Sequence, residues 1–60
     1  MMTITLHNPS KASAAGEWCL TNIKIGEWHL NVLNMFSDYP KYEFKFNRNA
    51  AATEFALRWV

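Results

Sequence analysis

Residues 17–35 read EWCLTNIKIGEWHLNVLNM and contain two strand-like runs on either side of Gly26-Glu27. Two such runs joined by two residues, of which the first is glycine, are typical of a β-hairpin with a type II′ turn. A two-residue loop fixes the register, and in this register similar side chains face each other. One face carries the pairs Ile25–Trp28, Ile23–Leu30 and Thr21–Val32, and the other carries Lys24–His29 and Asn22–Asn31. The sequence therefore predicts a central hairpin over 17–35.

The end of this hairpin farthest from Gly26 is apolar on both faces. The same register pairs Leu20 with Leu33 and Trp18 with Met35 on the otherwise polar face. Both strands change character at the same rung, which a bulge in one strand would not produce. We therefore expect this end to be covered on both faces, either by the C-terminal segment or by a partner molecule.

Two further segments have the alternation of β-strands. Residues 3–7 alternate and are rich in β-branched side chains, and residues 41–47 alternate Tyr42, Phe44 and Phe46 with charged residues. Residues 10–16 are small or polar, which predicts a flexible loop, with a single helical turn as the alternative. Residues 36–40 contain Ser, Asp and Pro and are typical of a turn.

The C-terminal residues 50–60 fit a helix better than a fifth strand. Asn49 is an acceptable N-cap, three alanines follow it, and Glu54 and Arg58 form a favourable i,i+4 pair. As a strand, Phe55, Leu57 and Trp59 would alternate with polar or small residues. The predicted fold is thus α+β: a small four-stranded antiparallel sheet, a meander around the 17–35 hairpin, with a C-terminal helix on one face.

Size and composition favour one small domain over residues 1–60. A chain of 60 residues buries only about 60% of its unfolded surface, and its nine aromatic residues compensate in part. The single cysteine, Cys19, forms no intramolecular disulfide, so a reducing compartment, the cytoplasm, is expected. No apolar run reaches the length of about 18 residues that a membrane span needs, and no signal-peptide pattern opens the sequence. We expect a complete small gene product.

The residues that could support catalysis do not form a recognisable motif. His7 and His29 are the only histidines, and neither belongs to a cluster with metal-ligand spacing. Ser13, His7 and Asp38 could be named as a triad, but nothing in their spacing fixes a geometry. With two glycines there is no phosphate-binding loop. We expect a protein that is not an enzyme and has no catalytic residues, no metal and no cofactor.

A nucleic-acid-binding module is one alternative. It would use Lys24, Lys41, Lys45 and Arg48, and basic and aromatic residues do interleave over 41–48. On a strand, however, the rings would point away from Lys41 and Lys45, whereas stacking needs rings and charges on one open face. The net charge of +1 adds no long-range attraction.

A surface for a larger protein partner is the leading hypothesis. Trp, Met and occasional basic residues on an otherwise polar sheet face fit such a surface. The expected product is a cytoplasmic protein-binding module, an accessory or inhibitory factor of the phage or plasmid type. A homo-oligomer whose interface supplies the missing cover, such as a homodimer, is the third hypothesis. The candidate partner-binding residues are Trp18, Lys24, His29, Asn31, Met35 and Lys45.

Overall fold

A computed structural model describes residues 2–60 and shows three strands and two helices. They are β1 (Met2–Leu6), α1 (Pro9–Asn22), β2 (Trp28–Leu33), β3 (Lys41–Phe46) and α2 (Asn49–Trp59). The fold is α+β, but its sheet has three strands, so the predicted four-stranded sheet is wrong. The strands near residues 3–7 and 41–47 and the C-terminal helix are where the sequence predicts them.

The sheet has the order β1-β3-β2, with β3 antiparallel to both neighbours. β1 and β2 are therefore parallel to each other, and α1 connects them across β3. On the two sides of β3, Ile4 and Leu30 both face Phe44. The predicted meander around a central hairpin is wrong, because the central strand is the last one in the chain.

Helix α1 replaces both the predicted loop at 10–16 and the first strand of the predicted 17–35 hairpin. The Asn8 side chain accepts a hydrogen bond from the Lys11 N–H at 3.2 Å and caps the helix, and Pro9 occupies the first turn. Asn-Pro, a dipeptide that also favours turns, is here a helix start signal. Ala12, Ala15 and Cys19 then recur at helical spacing on the buried side.

The predicted hairpin register is also wrong. Trp28 pairs with Phe46, not with Ile25, and Ile25 is 83% exposed. Leu20, which also belongs to the apparent alternation over 17–25, is 64% exposed. The alternation therefore included apolar residues that are not buried. The expected double cover at the Leu20–Leu33 rung therefore has no counterpart, because Leu20 lies on α1 and Leu33 on β2.

Gly26 does form a tight turn, although the turn joins a helix to a strand. The Glu27 N–H donates to the Lys24 carbonyl at 3.1 Å, and Gly26 has φ +95°. Gly26 is thus the third residue of a four-residue turn, a position where a type II turn requires positive φ. The Asn47 side chain donates to the Gly26 carbonyl at 3.1 Å and holds this turn against the end of β3.

The core lies between one face of the sheet and both helices. Phe55 of α2 is fully buried, with its ring centroid 4.7 Å from that of Phe44 and 5.0 Å from that of Phe46. The other buried apolar residues are Leu6, Ala12, Ala15, Cys19, Ile23 and Ala52. Both helices pack on the same side, which leaves the opposite face of the sheet uncovered. Neither helix within residues 2–60 has the length and apolar character that crossing a bilayer demands.

Candidate binding surface

The uncovered side of the sheet, called here the open face, is polar and carries both signs of charge. Residues that are paired across antiparallel strands point to the same face. In the row through Lys45, the neighbours are Thr3 and His29, and in the row through Glu43 they are Thr5 and Asn31. The open face is therefore formed by Thr3, Thr5, His29, Asn31, Glu43 and Lys45, with Lys41 and Leu33 at one end.

Three of the six candidate partner-binding residues meet on this face. His29 of β2 is paired with Lys45 of β3, and Asn31 lies two residues from His29 on the same face of β2. The alternation of each strand predicts this shared face. Their partner-binding role stays a prediction. The other three candidates lie elsewhere: Trp18 is on α1, Lys24 is between α1 and β2, and Met35 follows β2.

Trp18 lies on the helical side of the sheet, opposite the open face. It is half-buried on α1, where its ring makes an edge contact with Phe55 at 6.2 Å between centroids. The Arg58 guanidinium lies over the same ring, 6.0 Å from its centroid. Trp18 therefore belongs to the contact between α1 and α2, beside a shallow groove of about 400 Å³ that Glu54 and Leu57 also line.

Lys24 is exposed in the turn between α1 and β2. It lines a second depression of about 200 Å³ together with Glu27, Arg48 and Glu54. Arg48 and Glu27 form an ion pair at 3.5 Å, with the Arg48 side chain 70% exposed. An ion pair this exposed contributes little to stability, but the carboxylates offset the positive charge of Lys24 and Arg48.

Met35 belongs to the β2–β3 loop, defined here as residues 34–40. The exposed fractions of three large side chains in this loop are 60% for Met35, 98% for Phe36 and 81% for Tyr39. No other stretch of residues 2–60 presents three large side chains of this kind so close together in sequence. The sequence prediction included Met35 and missed Phe36 and Tyr39, although large apolar residues inside a Ser-Asp-Pro turn were a usable signal.

The β2–β3 loop is held in shape by its own hydrogen bonds. Asn34 has φ +55°, and its carbonyl accepts from the Ser37 N–H at 3.0 Å and from the Ser37 hydroxyl at 2.9 Å. The Ser37 oxygen in turn accepts from the Tyr39 N–H at 3.2 Å. Asn tolerates positive φ better than most residues, and Ser favours such local bonds. The apolar side chains are thus displayed on an ordered turn.

The four basic residues of the nucleic-acid alternative lie in two separate places. Lys41 and Lys45 flank Glu43 on the open face, whereas Lys24 and Arg48 lie near the Gly26 turn. Phe44 and Phe46 are fully buried on the opposite side of β3 from Lys45. The rings of Phe44 and Phe46 therefore do not share a face with Lys41 and Lys45, whereas base stacking uses rings on an exposed surface.

Groups with catalytic or ligating chemistry are dispersed. Within residues 2–60 no three His, Cys, Asp or Glu side chains lie close enough together to hold a metal ion. Cys19 is fully buried in α1, and burial raises the pKa of its thiol to about 11. Such a thiol is a poor nucleophile, since only the thiolate reacts.

No protein-family model matches the sequence, and neither a curated protein nor a solved structure matches it significantly.

Proposed function

We propose that this chain is a small, non-enzymatic protein-binding module that docks on a larger protein through the β2–β3 loop. The observation that carries the proposal is that Met35, Phe36 and Tyr39 are 60%, 98% and 81% exposed within one loop that has its own hydrogen bonds. Exposed apolar residues are ordinary singly, but a cluster of them marks an interaction site. Binding a cytoplasmic partner is consistent with the free Cys19 thiol.

A pre-ordered loop lowers the entropic cost of binding. Because residues 34, 37 and 39 are already linked by hydrogen bonds, docking would have to order less of the loop backbone. Phe36 and Tyr39 supply large contact area with few rotatable bonds, which is typical of residues that dominate interface energies. Asp38 lies between them, and its carboxylate would oppose insertion among anionic lipid headgroups. A protein pocket therefore suits this loop better than a membrane surface.

The test is affinity capture from nuclease-treated lysate of the source cell with matched variants. Phe36→Ser removes the most exposed ring of the loop, and Leu57→Ser is the control because Leu57 is 83% exposed on α2. We expect a stoichiometric protein that the wild type and Leu57→Ser retain and Phe36→Ser loses. With the purified partner, Phe36→Ala should weaken binding by about 2 kcal/mol, or roughly 30-fold.

Both variants should unfold at the wild-type temperature, since neither side chain is buried. The proposal fails if Phe36→Ser captures the same protein as the wild type. It also fails if Leu57→Ser abolishes capture equally, or if nuclease treatment removes the captured material.

A further inference from the structure

The outer edge of β2 has backbone groups that the sheet does not use. The Asn47 N–H donates to the Glu27 carbonyl at 3.0 Å, one rung beyond the pair Trp28–Phe46. Directly opposed residues alternate between hydrogen-bonded and non-hydrogen-bonded pairs. His29, Asn31 and Leu33 therefore direct their N–H and C=O groups toward β3. The same groups of Trp28, Leu30 and Val32 point away from it, to the free edge.

The side chains of these three residues are also incompletely covered. Trp28, Leu30 and Val32 are all half-buried on the helical side of the sheet. The helices pack mainly elsewhere, α2 on β1 and β3, and α1 on β1 and α2. Trp28 and Leu30 border the core, whereas Val32 is not among the residues packed against it. An apolar strip thus follows the free edge of β2.

Nothing in the sequence of β2 protects this edge. Natural edge strands are commonly guarded by lysine, proline or a bulge, and the β2 sequence WHLNVL has none of these residues and no bulge in its pairing. The edge of β1 has fewer free backbone groups, because by the same alternation only Thr3 and Thr5 of this strand direct their N–H and C=O groups outward. Both helices also pack on β1. The β2 edge is therefore the better site for strand addition.

We propose that a second copy of this chain pairs with the β2 edge, antiparallel, about a two-fold axis at Leu30. In this register Trp28 lies opposite Val32 of the other copy, Leu30 opposite Leu30, and His29 opposite Asn31. The outward N–H and C=O groups of Trp28, Leu30 and Val32 are then all hydrogen-bonded to the second copy. The two three-stranded sheets become a single six-stranded sheet.

In this register the side chains of β2 are complementary to those of β2 in another copy. This favours a second copy over an unrelated peptide as the partner. Aromatic–β-branched pairs such as Trp28–Val32 are favourable across strands, and no like charges meet anywhere along the edge. The apolar strips of the two copies adjoin on the helical side, so the partner supplies the cover that the helices do not. Small domains commonly gain stability through oligomerisation.

The mass in solution is the first test, measured by light scattering or sedimentation from micromolar to millimolar concentration. We expect twice the chain mass of 7.0 kDa. Val32→Pro removes an outward N–H without touching the β2–β3 ladder and should halve that mass. Thr5→Pro makes the same change at the β1 edge and should leave it unchanged. Val32→Lys, which places a charge on the edge, replaces Val32→Pro if circular dichroism shows that the proline variant is unfolded.

Cross-linking tests the register itself. Chains carrying His29→Cys should form a disulfide with chains carrying Asn31→Cys when the two are mixed and oxidised. Neither variant should cross-link with itself, because like residues lie on diagonal positions beyond disulfide reach. Cys19, which is fully buried, does not interfere.

A wild-type chain that stays monomeric at millimolar concentration would overturn the proposal. So would a dimer that Thr5→Pro disrupts and Val32 variants do not, or cross-linking of His29→Cys with itself. Phe36→Ser should remain dimeric, so loss of loop-mediated binding and loss of pairing are distinguishable.

Discussion

The two glycines of the chain occupy opposite backbone environments. Gly16 lies inside α1, and a Cβ there would meet nothing within 4 Å. A Cβ at Gly26 would also meet open space, but the residue has φ +95°. Any difference between substitutions at the two positions therefore reports backbone conformation and not crowding.

Alanine at these glycines should shift stability in opposite directions. Gly26→Ala should lower the free energy of unfolding by about 1–2 kcal/mol, because L-residues are strained at positive φ. Gly16→Ala should raise it by about 0.5–1 kcal/mol, because alanine restricts the unfolded chain and favours the helix. Urea denaturation at one fixed protein concentration measures both. A Gly26→Ala variant as stable as the wild type would refute the turn geometry.

The thiol of Cys19 should react only when the protein unfolds. Burial removes it from solvent and raises its pKa from 9.0 to about 11. At pH 8 the folded chain would hold roughly a thousandth of the thiol as thiolate, and this fraction would still be inaccessible. Labelling with a thiol reagent should therefore be slow in buffer and fast in denaturing urea. Equal labelling rates in the two conditions would contradict the buried position.

At the scale of elements, α1 shows where local patterns mislead. Its buried side is made of small residues, Ala12, Ala15 and Cys19, which give little contrast with the alanines and serines beside them. Trp18 and Leu20, and then Ile23 and Ile25, instead have the two-residue spacing of a strand. Only the capping pair Asn8-Pro9 was a clear helix signal, and it resembles a turn when taken alone.

β3 and α2 were predictable because burial follows their sequence pattern. Phe44 and Phe46 are fully buried, and Glu43 and Lys45 lie on the other face. The placement of His29, Asn31 and Lys45 on one face was predictable for the same reason. Alternation within β2 and β3 fixes the faces even when the pairing partner is assigned wrongly.

Phe55 is the side chain through which α2 contacts the sheet and α1. Its ring contacts Phe44, Phe46 and Trp18, and none of its surface is exposed. Phe55→Ala should cost about 3–5 kcal/mol. That is comparable to the whole stability expected of a small domain, so the variant should lose cooperative unfolding in calorimetry.

Leu57→Ala is the matched control on the same helix. Leu57 is 83% exposed, so the free energy of unfolding should change by no more than about 0.5 kcal/mol. A Phe55→Ala variant that unfolds as cooperatively as Leu57→Ala would show that α2 is not anchored as described.

At the scale of the whole molecule, strand order was beyond local reasoning. Turn chemistry near Gly26 favours pairing between neighbours in sequence, whereas β3 is inserted between β1 and β2. That order is set by how two helices and three strands bury one core, and no single segment encodes it. For the same reason the sequence did not indicate that β2, and not β3, is left with a free edge.

The central position of β3 has a consequence for biosynthesis. β1 and β2 leave the ribosome before β3 does, and neither has a strand to pair with until residues 41–46 follow. Met2 must then find Phe46 across most of the chain, a long loop closure that slows folding. The native sheet therefore cannot assemble until β3 has been synthesised, and a polypeptide truncated before Lys41 would lack the strand that joins β1 to β2.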